Sequence, residues 1–436
     1  MQKLLFSLKF LRISMSTIKL SPVHKMLIIF IAGSIFTTSI ALIVGSNKNL
    51  KNSFLEDMDF LIYHLEESFP FFGVIERRLD MDLREALLGL RRDIQNHNMM
   101  VSKTQFYRLL AEEIERFGYV AHLWVFHPDT HVKPGNFNAG HSLPPPSGQP
   151  ASFDSTSQGI FTANILEEEK IAHLIISDTN LFTSDELRYL LNTLEKVQDY
   201  EHLIIDIRPT RGGYCHDLLH HLITPNIPQG SEIYYNSFAF FTEGELAGRV
   251  ADFQRKTGSL YYIPSYGGLR QDSFITYYGG GSAHHDIAVE SEILPANEMV
   301  KKYNLYNIKE DDLANLTYGY KLITIIRGVR VDNIPFNGKI WVLTAPNNYS
   351  AAEGFAELSK AAGFTLVGQT TGGAIGGGGT AYFRLPNTNI NVSLDTLYIT
   401  DDTGRAKEEF PTEPHYHISP DEDALDVTLE LIRQGR

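Results

Sequence analysis

The chain has 436 residues, 43% hydrophobic and 21% charged, a globular balance with enough length for more than one folding unit. Its formal charge of −14 argues against binding nucleic acid, because neutralising phosphates needs a basic face. A single cysteine, Cys215, excludes an intrachain disulfide framework and a cysteine-rich zinc site.

Residues 1–25 carry Lys3, Lys9, Arg12, Lys19 and Lys25 and no acid, and the uncharged run MLIIFIAGSIFTTSIALIV, Met26 to Val44, follows. As a helix that run would rise about 28 Å, close to the hydrocarbon thickness of a bilayer. The expectation is a basic cytoplasmic tail (1–25) and a transmembrane anchor or signal segment (26–44). The rest of the chain would then sit outside the cytoplasm, held at the cell membrane, or secreted if the segment is cleaved.

Residues 52–127 are expected to form an N-terminal helical subdomain. FLEDMDFLIYHLEESF and TQFYRLLAEEIERFG place apolar residues at helical spacing, FPFFG breaks the first run, and Gly118 ends the second. YVAHLWVF, 119–126, has the pattern of a strand. Residues 128–158, rich in Pro, Gly and Ser, predict a linker.

From Gly159 onward strands and helices alternate. GIFTANIL and IAHLIIS are strand-like, TSDELRYLLNTLEKV is a helix opened by a Thr cap with Glu186 following, and HLIIDIR is an apolar strand. PTRGG and the helical run YCHDLLHHLI come next. This pattern predicts an α/β domain over 159–436 with a mostly parallel sheet. Residues 225–335 are less regular and rich in Tyr and Phe. They fit either a lid or pocket wall, or an insertion whose aromatics pack on one another. KIWVLTA, SAAEGFAELSKAAG and FTLVG then read strand, helix, strand, and DEDALDVTLELIRQGR closes the chain as a helix.

APNNYSAAEGF, 345–355, sets Ser350 at the seam between an apolar strand and a helix. Two readings of it stand together. Ser350 and Glu353 fit a capping box. Equally, a serine held at a strand-to-helix turn suits a nucleophile, with the N–H of Ala351 at the helix start and a glycine N–H of the RGG turn, Gly212 or Gly213, as oxyanion donors. In open α/β sheets such sites gather where strands end. A nucleophilic serine needs a base and an orienting group, and spacing alone does not choose among the 16 histidines.

The order HLIIDIRPTRGG, then WVLTAPNNYSAAEGFAELSKAAGFTLVGQTTGG, then EEFPTEP resembles the tail-specific (C-terminal processing) serine peptidases. The likeness spans about residues 52–435. It implies a crotonase-like (ClpP/crotonase) core behind an N-terminal helical subdomain. It also implies an acyl-enzyme peptidase acting on peptides or protein C-terminal tails, without cofactor or metal. One branch of that family pairs its serine with a lysine after the glycine-threonine segment; here no lysine lies between Lys360 and Lys407. The resemblance is therefore to the tricorn type, with Ser350 as nucleophile, His122 (in GYVAHLWVF) as base and Glu408 (in KEEFPTEP) as orienting acid, Glu409 being its neighbour. Ala121 stands where the family often has a polar residue, and PTRGG lacks a usual asparagine. The stretch between His122 and HLIIDIR is too short for a PDZ domain. A second reading is a catalytically weak or inactive member of the same fold that binds a peptide or an apolar ligand.

Other motifs carry less. His216 and His220 lie four apart, with His221 beside them, but no glutamate or third ligand completes a zinc motif. AHHD (283–286) and HYH (415–417) read as ordinary histidines, and Cys215 as a small buried thiol. GGAIGGGG lacks the Lys-Ser/Thr of a phosphate loop. The oligomeric state is not readable from the sequence.

Overall fold

The structure, a computed structural model, describes residues 49–96, 102–118, 120–127, 155–179, 182–213, 215–249, 285–289, 292–328, 334–373 and 380–436. The expected basic tail (1–25), the membrane segment (26–44), most of the linker (128–154), part of the aromatic-rich insertion (250–284) and the glycine run at 374–379 lie outside them. Among the described residues no helix is long and apolar enough to cross a membrane.

The described residues open with four helices: α1 (49–68), α2 (Phe72–Leu79), α3 (Leu83–Asn96) and α4 (Lys103–Glu115). Phe54, Met58, Leu61 and Leu65 recur on one face of α1 and are buried. Ser102 and Gln105 form a capping box at the start of α4. These helices do not enclose a core of their own. Their apolar faces share one cluster with Phe238, Phe240, Val392, Leu394 and Tyr398 from the strands that follow.

The strands are β1 (Trp124–Phe126), β2 (Ser155–Gln158), β3 (Phe161–Glu167), β4 (Ile171–Ile176), β5 (His202–Asp206), β6 (Glu232–Phe241), β7 (His285–Val289), β8 (Leu294–Pro295), β9 (Tyr318–Arg327), β10 (Lys339–Thr344), β11 (Thr365–Gly368), β12 (Thr380–Arg384), β13 (Asn391–Asp395), β14 (Leu397–Thr400) and β15 (Tyr416–His417). The largest sheet runs β15-β11-β10-β5-β4-β3-β2. Its pairs from β15 to β4 are parallel, and β3 and β2 add antiparallel at one edge. The central strands β5 and β10 are buried along nearly their whole length because helices cover both faces of the sheet. On one face, Ser184–Val197 and Ala351–Ala361 contribute to the cluster around Leu190, Ile205, Val342 and Phe355. On the other, Ala424–Arg433 joins that of Ile204, Trp341 and Val367.

The aromatic-rich segment is more regular than its sequence suggests. β6 and β9 pair antiparallel over ten residues each, and β14, β7 and β8 extend that sheet. Phe238, Phe240 and Tyr320 are buried within it. Residues 155–158, read as linker, form β2 instead, and the strand expected over 119–126 is confined to Trp124–Phe126 because a tight turn occupies 120–122.

The third sheet, β1-β13-β12, is small and antiparallel. Its β12–β13 hairpin is pinned to α1 by buried Asp57, which accepts the N–H of Asn387 and of Thr388 (2.9 Å each) and the Thr388 hydroxyl (2.6 Å).

Candidate active site

Ser350 follows β10 and immediately precedes the helix Ala351–Ala361. It does not cap that helix. Its side chain makes no capping hydrogen bond, and its backbone is held at φ 54°, ψ −116°, a region costly for any residue with a Cβ. The capping-box reading thus gives way: the Glu353 carboxylate accepts the Thr412 N–H (2.9 Å) and hydroxyl (2.7 Å) and faces the Gly373 N–H (3.4 Å). Burial pushes the Glu353 carboxyl above the usual range, partly offset by the Thr371 and Thr412 hydrogen bonds. Elsewhere the box forms as expected, between Thr183 and Glu186.

The two asparagines ahead of Ser350 hold its turn to the end of β5. Asn348 is fully buried; its amide donates to Ile207 O (2.6 Å) and Thr210 O (2.8 Å), and its Oδ1 accepts Ala345 N–H (2.7 Å). Asn347 donates to Arg208 O (2.7 Å), and Tyr349 N–H to Arg211 O (3.2 Å). The RGG turn therefore lies against the serine. A Cβ placed on Gly212 would sit 3.0 Å from Tyr349 O and 3.2 Å from Ser350 Cβ, and Gly212 adopts φ 141°. Only glycine fits both the space and the backbone there. Gly213, φ 136°, bridges Thr179. Ala351 N–H, at the first helical position, has no intrahelical acceptor. Ser350, Ala351 and Gly212 are thus brought together, with Gly213 one residue further on.

His122 lies across the chain in a tight turn, Val120–His122, just before β1. Ala121 (φ 49°) and His122 (φ 48°) are both left-handed there. His122 is 8% exposed. Its Nδ1 lies 2.8 Å from Asp395 Oδ2, and its carbonyl accepts the Ser393 hydroxyl (2.8 Å). The resemblance led us to expect that bond from Glu408. Glu408 is close by but occupied elsewhere: its Oε1 accepts the Ala121 N–H (3.1 Å) and an Arg78 Nη1 hydrogen bond (3.1 Å). Burial pushes the Glu408 carboxyl up to about 7 against the pull of the Arg78 guanidinium. For His122, burial pulls the imidazole down, but Asp395 and, more weakly, Glu408 outweigh it, and the ring ends above its ordinary value. Glu409 faces away from His122 into an ion pair with Arg77, which also binds Asp312. No sequence pattern singled out Asp395. It is one acid among many in a strand, and it reaches His122 only through strand pairing.

The loop 371–373 joins the two groups. Ser350 N–H donates to Gly373 O (3.0 Å). Arg78 donates to Gly372 O (3.3 Å) and to Glu408 O (2.7 Å), and Gly373 leaves only 3.4 Å between its would-be Cβ and Glu408 O. Among the described residues no cluster of three His, Cys, Asp or Glu side chains could hold a metal ion. The run around His220 folds as a short π turn. Desolvation pushes the Cys215 thiol up to about 11, the opposite of an activated nucleophile.

Residues 275–418, which carry Ser350, Asp395 and Glu408, match the model of peptidase family S41. Among solved structures, a Parabacteroides merdae ATCC 43184 protein assigned as a peptidase is similar at 13% identity, over 86% of this chain and 96% of its own, with a TM-score of 0.51. Mature CPAF complexed with lactacystin is similar at 14% identity, over 84% of this chain and 94% of its own, also with a TM-score of 0.51. These likenesses concern the fold. No curated protein matches the chain. The family match, confined to residues 275–418, makes the chain similar to the S41 peptidases and supports a serine-type peptidase.

Proposed function

We propose that the chain hydrolyses peptides or protein C-terminal tails through an acyl-enzyme on Ser350, within a crotonase-like core that carries no PDZ domain. The observation that carries the reading is the Ser350 backbone: a serine with no cap to make is held in a costly conformation against Gly212 at the end of two parallel strands. Ser350 Oγ attacks the scissile carbonyl carbon while His122 takes its proton. The tetrahedral oxygen rests on Ala351 N–H and an N–H of Gly212 or Gly213. Collapse expels the amine, which receives the proton from His122, and water then releases the acyl group by the same route in reverse. Glu408, on Ala121, is the acid that the family resemblance assigns to this histidine. The N-terminal run 26–44 supports placing the enzyme outside the cytoplasm, anchored or exported.

The test is a fluorophosphonate probe on the detergent-solubilised 436-residue chain, read by intact mass beside Ser350→Ala. One adduct, absent from Ser350→Ala, is the expected result. No adduct on folded protein would favour the binding reading.

A further inference from the structure

Two buried acids flank His122, and they do different things. We propose that Asp395 is the positioning residue for the imidazole, and that Glu408 holds the backbone on which His122 stands. The proposal rests on the reading of His122 as the base for Ser350.

The geometry separates the two acids. Asp395 Oδ2 lies 2.8 Å from the ring nitrogen itself. Glu408 reaches the main chain one residue earlier, at Ala121 N–H, and the same oxygen, Oε1, accepts from Arg78. A carboxylate can only accept, so the Asp395 contact puts the proton on Nδ1 and leaves the Nε2 lone pair for the serine proton. A bond to a backbone N–H fixes no tautomer.

Asp395 is also fixed in place. It is the last residue of β13 and pairs with Thr380 across the β12–β13 ladder. The Thr380 hydroxyl donates to Asp395 Oδ1 at 2.6 Å. One oxygen is therefore held by the neighbouring strand and the other serves the histidine, both away from water. The histidine is referenced to the same strand: Ser393, two residues before Asp395, donates to His122 O, and Trp124 pairs with Ser393 in the β1–β13 ladder. The left-handed pair Ala121–His122 sits where β13 meets this turn, and such backbone persists only when surroundings over-determine it. Glu408 supplies that restraint from below, through Ala121 N–H. Its carboxyl, pushed up to about 7 by burial, is a poor fixed countercharge near neutral pH. Among the described residues the charged groups facing His122 are thus Asp395 and Glu408, with Arg78 behind Glu408.

The experiment compares Asp395→Asn, Glu408→Gln, Thr380→Val and Thr380→Ser in the detergent-solubilised 436-residue chain. The pH midpoint of His122 is read from C2 hydrogen–deuterium exchange by peptide mass spectrometry, and the fluorophosphonate rate at Ser350 alongside it. Asp395→Asn is expected to lower the His122 midpoint by about one to three pH units. It should slow labelling by about 10²- to 10⁴-fold. Thr380→Val should move both the same way by less, and Thr380→Ser should keep the parent values. Glu408→Gln should shift the midpoint by less than Asp395→Asn does. If Glu408→Gln moves the midpoint and Asp395→Asn leaves it unchanged, the assignment is overturned. If Asp395→Asn does not fold, the Thr380 pair decides: a midpoint identical in Val and Ser variants counts against the proposal. A parent protein that takes no adduct would sink the nucleophile reading, while the exchange midpoint would still decide whether Asp395 governs His122.

Discussion

Glu408→Gln should make the protein more stable at alkaline pH and change it little at acid pH. Burial raises the Glu408 carboxyl from 4.5 to about 7. The folded protein therefore holds this proton more tightly than the unfolded chain does. Between those two values folding is coupled to proton uptake, so stability contributed by the group is full below pH 4.5 and is lost as pH rises through about 7. A rise of 2.5 pH units at 1.36 kcal/mol each comes to roughly 3 kcal/mol, lost by pH 8. The Arg78 contact at 3.1 Å does not cancel this, because burial of the Glu408 carboxyl outweighs the attraction of a guanidinium that stays partly in water. Glutamine keeps an acceptor for Ala121 N–H and has no proton to lose. Urea unfolding followed by tryptophan fluorescence, at pH 5, 6, 7 and 8, gives the difference between variant and parent, in which other titrating groups cancel. That difference should grow by roughly 2.5 kcal/mol from pH 5 to pH 8 in favour of the variant. A flat difference, or one that turns against the variant as pH rises, would refute the reasoning and make Glu408–Arg78 a net stabilising ion pair.

The Ser350 backbone offers a second check. Glycine tolerates φ 54°, ψ −116°, whereas alanine retains the steric cost, so Ser350→Gly should be about 1 kcal/mol more stable than Ser350→Ala in urea unfolding. Equal stabilities would mean that no strain is stored there. Asn348→Ala strands the Thr210 carbonyl and the Ala345 N–H and leaves Ile207 O only the Thr210 N–H, so it should cost roughly 3 kcal/mol, with slower fluorophosphonate labelling as the RGG turn loosens. Unchanged labelling in a folded variant would separate that turn from the site. The base must be neutral to act, and His122 is raised above 6.5, so labelling should climb with pH through a midpoint above 6.5 and then level off. A rate that falls over this range would exclude His122 as the base.

Much of the site was legible locally. An apolar run ending in Ala-Pro-Asn-Asn-Tyr-Ser and followed by an alanine-rich helix marks a strand-to-helix turn. PTRGG after HLIIDIR marks a second turn, whose glycines are required by a close approach and a positive φ. Both signals are short-range, and both survive in the structure as neighbouring strand ends, β5 beside β10. The same local logic misled at Ser350. Ser-x-x-Glu satisfies a capping pattern, yet Glu353 is drawn to Thr412, 59 residues away, and the serine is left free. It misled again at 225–335, where a high density of aromatics masked the two-residue alternation of β6 and β9. Their period is hard to see when buried rings of one strand face the helices and those of the next register face another layer.

What the sequence determined by itself is the set of turns and apolar runs, because backbone preference and side-chain periodicity act over a few residues. The partners of His122 were decided only by tertiary structure. Asp395 lies 273 residues from His122, and Glu408 lies 287 from the Ala121 N–H that it accepts. One contact is set by the antiparallel pairing of β1 with β13, the other by the way residues 406–412 fold back beneath Ala121. A shift of one residue in that strand pairing would turn Asp395 to the opposite face. No local pattern encodes a hydrogen bond whose geometry is fixed by the register of strands so distant in sequence.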